Sequence, residues 1–162
     1  MADMSPVDWA LRPMQKYATF RGRAPRAEYW WFYLATLILS LLVAGIEAAA
    51  GVGDIVSNII SLILFVPTLA VLIRRLHDTD RSGWWLMIAI VPLLVTGGLI
   101  VKALSDGQTA ETGLFSAALV PLIVTGIAAI AIFIFTILPG THGPNRFGAD
   151  PYGADNVEEV FR

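Results

Sequence analysis

The amino-acid sequence predicts an all-α membrane protein with four transmembrane helices and both termini in the cytoplasm. Hydrophobic residues make up 56% of the 162 residues and charged residues only 15%, against roughly 45–50% and 25% in soluble domains. The hydrophobic residues are gathered into four long blocks, and lysine and arginine lie almost entirely on one side of them. We therefore expect a single membrane domain that spans residues 1–162.

The N-terminal segment that precedes the first block combines apolar and basic side chains. Trp9 and Leu11 alternate with Arg12 and Lys16, while Pro13 interrupts a continuous helical stripe. This composition predicts a short interfacial segment on the inner leaflet. A disordered terminus is the alternative.

Each apolar block reaches or approaches the ~20 residues that a helix needs to cross a ~30 Å hydrocarbon layer. In lipid such a segment must be helical, because every backbone amide has to be hydrogen-bonded internally. Gly- and Asp-containing connections separate the first block from the second and the third from the fourth. The predicted spans are residues 29–50, 55–73, 84–101 and 114–138.

The positions of the basic residues predict the orientation. With four crossings, ten of the eleven lysines and arginines fall on one side, and only Lys102 falls on the other. Positive residues are retained in the cytoplasm, and the tryptophan pairs at 30–31 and 84–85 fit the same interface. The predicted cytoplasmic segments are residues 1–28, 74–83 and 139–162.

Three polar motifs lie on the predicted cytoplasmic side: the entry to the first span at 20–31, the loop at 74–85 and a Gly- and Pro-rich turn at 143–151. We expect the turn to hydrogen-bond back towards the membrane. The candidate binding residues of these motifs are Arg23, Arg26, Glu28, Arg74, Arg75, His77, Asp78, Arg81, Asn145 and Arg146.

The middle motif has two functional interpretations. Its arginines form a clamp for an anion or a headgroup, or His77, Asp78 and Asp80 build an acid–base or metal centre with His142 as a second imidazole. The neighbouring arginines would oppose a bound cation, so we predict no metal site and no cofactor. The structural alternatives are a self-contained salt-bridged turn and arginines that serve only to orient the helices.

The predicted spans contain one ionisable residue, Glu47, near the outer end of the first. Ion-coupled carriers have buried charges along their pathway, so the alternative of a transporter is confined to an oligomer that uses Glu47 as a proton site. Small residues four apart, such as Ala44 and Ala48, suit packing against a second copy or a membrane-protein partner.

The absence of cysteine excludes thiol chemistry, and a net charge of -2 gives no indication of nucleic-acid binding.

The motifs at 22–31, 74–85 and 143–151, spaced over four spans, resemble the bacterial inner-membrane family catalogued as domain of unknown function 805. The resemblance covers about residues 17–151, and the middle motif is its most specific part. Many members of that family have Gly where this chain has Asp80, which argues against a catalytic role for Asp80. The resemblance implies a multi-pass protein of the bacterial inner membrane, and it implies no particular activity, substrate or cofactor.

The favoured hypothesis is a non-enzymatic membrane protein whose cytoplasmic polar cluster binds an anionic lipid headgroup, a small anion or a protein partner. Membrane lipids are its expected partners. The main alternative is an interfacial enzyme acting on a lipid or envelope precursor, with His77 as general base and Asp78 orienting it. That alternative predicts that His77 lies within hydrogen-bond reach of a carboxylate.

Overall fold

The computed structural model describes residues 4–105 and 113–152, without the side chains of residues 113–116. The connection between the third and fourth spans, with Asp106 and Glu111, and the end of the tail, with Arg162, lie outside the described residues. The described elements are five helices: α1 Pro6–Gln15, α2 Arg26–Ala50, α3 Ile55–Asp78, α4 Trp85–Ser105 and α5 Gly113–Ile137. All but α1 are long and apolar enough to cross a membrane, which confirms the predicted all-α class with four spans.

The chain divides into two compact units, which we describe separately. The first comprises residues 1–81 and 138–162, and the second comprises Ser82–Ile137. The second unit is therefore inserted in the sequence of the first. Within it, α4 and α5 form an antiparallel hairpin in which the Trp85 and Phe135 rings meet edge to face, with centroids 5.1 Å apart.

Helix α1 begins with a capping box. The Ser5 hydroxyl accepts a hydrogen bond from the Asp8 N–H (3.2 Å), and the Asp8 carboxylate accepts one from the Ser5 N–H (2.9 Å). The helix continues through Pro13 to Gln15, where the sequence predicted that Pro13 interrupts a continuous helical stripe. Trp9 and Pro13 are buried on its inner face, against α2 and α3.

The turn between α2 and α3 is closed by residues of both helices. Gly51 ends α2 in the left-handed conformation (φ 65°), which glycine adopts without steric cost. The Glu47 carboxylate then accepts hydrogen bonds from the Val56 N–H (2.7 Å) and the Ser57 N–H (3.2 Å) in the first turn of α3. Glu47 thus caps α3, a role in which its negative charge is favourable.

Helix α3 extends to Asp78, five residues beyond the predicted inner end of its span. A small core of Ala24, Phe32 and Val71 packs its C-terminal half against the start of α2. The extension carries the polar motif at 74–78 as ordered helix, so its side chains have fixed positions beside the start of α2.

Candidate functional site

The start of α2 and the end of α3 lie side by side in the first unit. The Ala24 N–H donates to the Arg74 carbonyl (2.9 Å), which ties the residue before Pro25 to the last turns of α3. This contact brings two of the three predicted motifs together. Their charged side chains form two separate clusters, one that includes Arg75 and one that includes Arg74.

The first cluster centres on Asp78. Its carboxylate accepts a hydrogen bond from Arg23 Nε (2.9 Å) through one oxygen and from Arg75 Nη1 through the other. All three side chains are at most 1% exposed. A carboxylate paired on both oxygens offsets much of the cost of burying two guanidinium groups.

The third predicted motif completes this cluster with main-chain carbonyls. Arg23 donates to the carbonyls of Gly143 (2.6 Å) and Thr141 (2.5 Å), and Arg75 donates to that of Leu138. The Thr141 N–H returns a hydrogen bond to the Asp78 carbonyl (2.9 Å). We call Arg23, Arg75, Asp78 and residues 138–143 the Asp78 clamp. Since these donors and acceptors satisfy one another, the clamp holds the C-terminal segment against α3.

Gly140 lies directly against the Asp78 carboxylate. A Cβ atom at this position would be 2.7 Å from the Asp78 Cγ, closer than real Cβ contacts. Next to it is a cavity of about 400 Å³ whose lining includes Arg23, Arg26 and Asp150. Asp150 accepts hydrogen bonds from the N–H groups of Tyr152 and Gly143, which lower the pKa of its carboxyl group. The arginines and carboxylates that line this cavity balance each other in charge.

His77 does not have the surroundings of a general base oriented by Asp78. Its Nδ1 is 3.1 Å from the Gly22 carbonyl oxygen, and its ring stacks on Phe147 with centroids 3.9 Å apart. The Asn145 amide donates to the His77 carbonyl (2.9 Å). Both oxygens of the Asp78 carboxylate already accept hydrogen bonds from the two arginines of the clamp. His77 and Asn145 therefore join the C-terminal turn to α3.

Residues 4–105 and 113–152 contain no group of three His, Asp or Glu residues that could hold a metal ion.

The second cluster, which we call the Arg74 site, consists of Arg12, Lys16, Glu28 and Arg74. Arg74 Nη1 donates to one oxygen of Glu28, and the two side chains are 1% and 0% exposed. Arg74 and Asp78 are four residues apart, a spacing that favours a pair on one helix face. The structure pairs Arg74 instead with a carboxylate 46 residues away in sequence.

Two nitrogens of Arg74 have no hydrogen-bond partner among the described residues. Nε and Nη2 are both buried, as is the second oxygen of Glu28, which faces Arg12 Nε at 3.5 Å. Nε and Nη2 lie on one edge of the guanidinium group, where two parallel N–H bonds match the oxygens of a carboxylate or phosphate. A buried donor without a partner costs about 1–3 kcal/mol, so this edge is a strong candidate for a ligand contact.

Arg12 and Lys16 complete the Arg74 site, and the sequence did not predict their role. Arg12 lies within α1 and Lys16 is its C-cap residue. Both follow Trp9 and Pro13 at the 3- and 4-residue spacing of one helix face, and this spacing is the signal that could have identified them. Burial lowers the pKa of Lys16; Glu28 opposes that shift, and Arg12 and Arg74 add to it. Counted over the described residues, the site thus holds three cations and one carboxylate, an excess of two positive charges.

Comparison with known proteins identifies the family. The sequence matches the family model described as protein of unknown function (DUF805) over residues 17–149. The chain belongs to the DUF805 family. Inner membrane protein YhaH of Escherichia coli K12 is 34% identical, over 90% of this chain and 97% of the relative, and inner membrane protein YhaI is 31% identical, over 93% and 100%. No solved structure matches the chain.

The DUF805 match confirms the predicted family and, with the four apolar helices, a multi-pass protein of the inner membrane. Residues 17–149 include every member of the two clusters except Arg12 and Lys16, which lie before residue 17. The expected departure from the DUF805 motif, Asp80, has a left-handed backbone (φ 57°), the conformation that glycine favours.

The remaining predicted site residues lie at the edge of the clusters. Arg146 Nε pairs with the Asp80 carboxylate at 3.1 Å, with the two side chains 62% and 47% exposed, so the pair contributes about 0–1 kcal/mol. Arg81 donates to the Thr79 carbonyl (2.9 Å), and Arg26 is exposed. These three arginines are not part of either buried cluster.

Proposed function

We propose that this protein is a non-enzymatic inner-membrane protein that binds an oxyanion at the Arg74 site. The observation that carries the proposal is the Nε and Nη2 edge of Arg74, which is buried and without a hydrogen-bond partner among the described residues. Two parallel donors on a rigid group recognise carboxylate and phosphate groups better than other ligands. The excess of two positive charges at the site favours an anion over a neutral ligand.

The Asp78 clamp supports this choice by contrast. Its arginines already have carboxylate and carbonyl acceptors, so a ligand there would have to displace existing hydrogen bonds. At the Arg74 site an oxyanion would instead satisfy two donors that have no hydrogen-bond partner among the described residues.

Thermal unfolding in a non-ionic detergent tests the proposal, with inorganic phosphate as the probe and chloride at equal ionic strength as the reference. We expect phosphate to raise the Tm, because a ligand that binds only the folded protein stabilises it by about 2.7 kcal/mol at 100 Kd. Arg74→Gln should abolish the rise. Lys16→Gln should weaken phosphate binding about tenfold, through loss of a charged contact worth about 1.5 kcal/mol.

Arg21→Gln is the matched control, because Arg21 carries the same charge and is exposed to solvent. It should respond to phosphate like the natural sequence. Lys16→Gln keeps the test valid if Arg74→Gln does not fold, since Lys16 lies in the turn after α1 and not inside a span. Equal responses of all four proteins, or no response of the natural sequence, would contradict the proposal.

We also propose that both termini, the Arg74 site and the Asp78 clamp face the cytoplasm. The distribution of lysine and arginine supports this orientation, because ten of the eleven lie on the side of the two clusters when the chain crosses four times. The Arg74 site would then meet the inner leaflet.

A further inference from the structure

The depth of the Arg74 site indicates where its ligand comes from. In α3 the apolar run from Ile55 to Ile73 ends immediately before Arg74. At 1.5 Å per residue this run is about 28 Å long, close to the ~30 Å thickness of the hydrocarbon layer. Glu28 lies in the first turn of α2, at the same end. The guanidinium group of Arg74 is therefore at the boundary between hydrocarbon and headgroups, the level of the lipid phosphates.

Helix α1 covers the site and is itself suited to the headgroup layer. Its inner face contributes Arg12 to the site, while its outer face exposes Val7, Leu11 and Met14 at positions i, i+4 and i+7, with 65%, 52% and 37% of their surfaces accessible. A short helix with an apolar stripe and basic residues lies in the membrane interface. An anion that approaches Arg74 along α1 thus comes from among the headgroups and not from bulk water.

The charge of the site indicates which kind of headgroup fits. Among the described residues, the three cations Lys16, Arg12 and Arg74 exceed the Glu28 carboxylate by two positive charges. A phosphodiester carries one negative charge, whereas a phosphomonoester with a second pKa of about 6 approaches two at neutral pH. The Arg74 and Glu28 side chains at the centre of the site are 1% and 0% exposed, so an uncompensated charge beside them is costly.

We propose that the anion bound at the Arg74 site is the phosphomonoester headgroup of a membrane lipid, held by Arg12, Lys16 and the free edge of Arg74. This inference rests on the proposed function, because it names the ligand of the same site. Soluble phosphomonoesters share the headgroup chemistry, so the test separates the two sources.

Native mass spectrometry of the full chain tests the inference, after equilibration with mixed micelles of non-ionic detergent and phosphatidylcholine that contain equal small fractions of phosphatidate and phosphatidylglycerol. We expect one retained phosphatidate per chain, with a preference of about tenfold over phosphatidylglycerol, the size expected for one additional charged contact. Arg74→Gln should lose the lipid, and Lys16→Gln should reduce the preference to about equal retention. Arg21→Gln should behave like the natural sequence.

A parallel arm uses inorganic phosphate and sn-glycerol 3-phosphate without phosphatidate. Equal retention of phosphatidate and phosphatidylglycerol by the natural sequence would overturn the inference, as would binding of the soluble esters without retention of phosphatidate. In both cases anion binding at Arg74 would stand. If neither lipid nor soluble phosphate binds, the inference and the proposed function both fail.

Discussion

The side chains of the Asp78 clamp are held in one position, and this restricts which residue can stand at position 140. Asp78 needs both of its carboxylate oxygens for Arg23 and Arg75, so it cannot rotate away from the main chain of Gly140. The same constraint applies to Glu28 and Arg74, each of which is the other's buried ionic partner. Removal of one member of such a pair costs about 3–5 kcal/mol, because the other charge stays buried.

Gly140→Ala should therefore destabilise the protein. The added Cβ overlaps the Asp78 carboxylate and forces either the clamp or the C-terminal segment to move, which we expect to lower the free energy of unfolding by about 1–3 kcal/mol. Chemical unfolding in detergent measures the change. Gly53→Ala is the control: nothing lies within 4 Å of a Cβ there, so its effect should stay within about 0.5 kcal/mol. Equal effects of the two substitutions would show that the close contact is unimportant.

At the scale of the elements, α3 depends on a side chain from outside the helix. Pro67 has no N–H, so the carbonyl of Ile63 one turn earlier loses its helical partner. The Tyr17 hydroxyl, in the segment after α1, donates to that carbonyl at 2.5 Å. This hydrogen bond attaches the segment after α1 to helix α3.

Tyr17→Phe should lower stability by about 0.5–1.5 kcal/mol, the usual net contribution of one hydrogen bond. In a Pro67→Ala background the restored N–H can bond the Ile63 carbonyl, so the same substitution should cost clearly less. A double-mutant cycle of unfolding free energies measures this coupling. If Tyr17→Phe costs the same in both backgrounds, the hydroxyl does not compensate for the proline.

The elements show which parts of the structure a single sequence can predict. Hydropathy identified all four spans because lipid requires long uninterrupted apolar helices, and the polar motifs gave every residue of the Asp78 clamp that acts through its side chain. The partner of Arg74 was not predictable, since Glu28 is 46 residues away and the pairing depends on how α2 packs on α3. Arg12 and Lys16 were assigned to an interfacial segment and to the orientation of the chain, because their place beside Arg74 depends on α1 folding back onto those helices.

At the scale of the whole molecule, the proposed orientation can be tested directly, because the sequence contains no cysteine. We expect a membrane-impermeant maleimide to label Val52→Cys, in the outer connection, in intact spheroplasts. It should label Ala18→Cys, which precedes α2, only after permeabilisation. Both positions are exposed on the protein. Labelling of Ala18→Cys in intact spheroplasts would contradict cytoplasmic termini.

The Asp78 clamp also has a consequence for biosynthesis. Arg23 and its acceptor carbonyl on Gly143 are 120 residues apart, and a ribosome adds about 5–20 residues per second, so roughly 6–24 s separate their synthesis. During that interval α2 and α3 have been synthesised, but the carbonyl groups of residues 138–143 that accept hydrogen bonds from Arg23 and Arg75 have not. We expect an mRNA truncated before codon 138 to give a product that proteases degrade, because that product lacks the carbonyl groups that complete the Asp78 clamp.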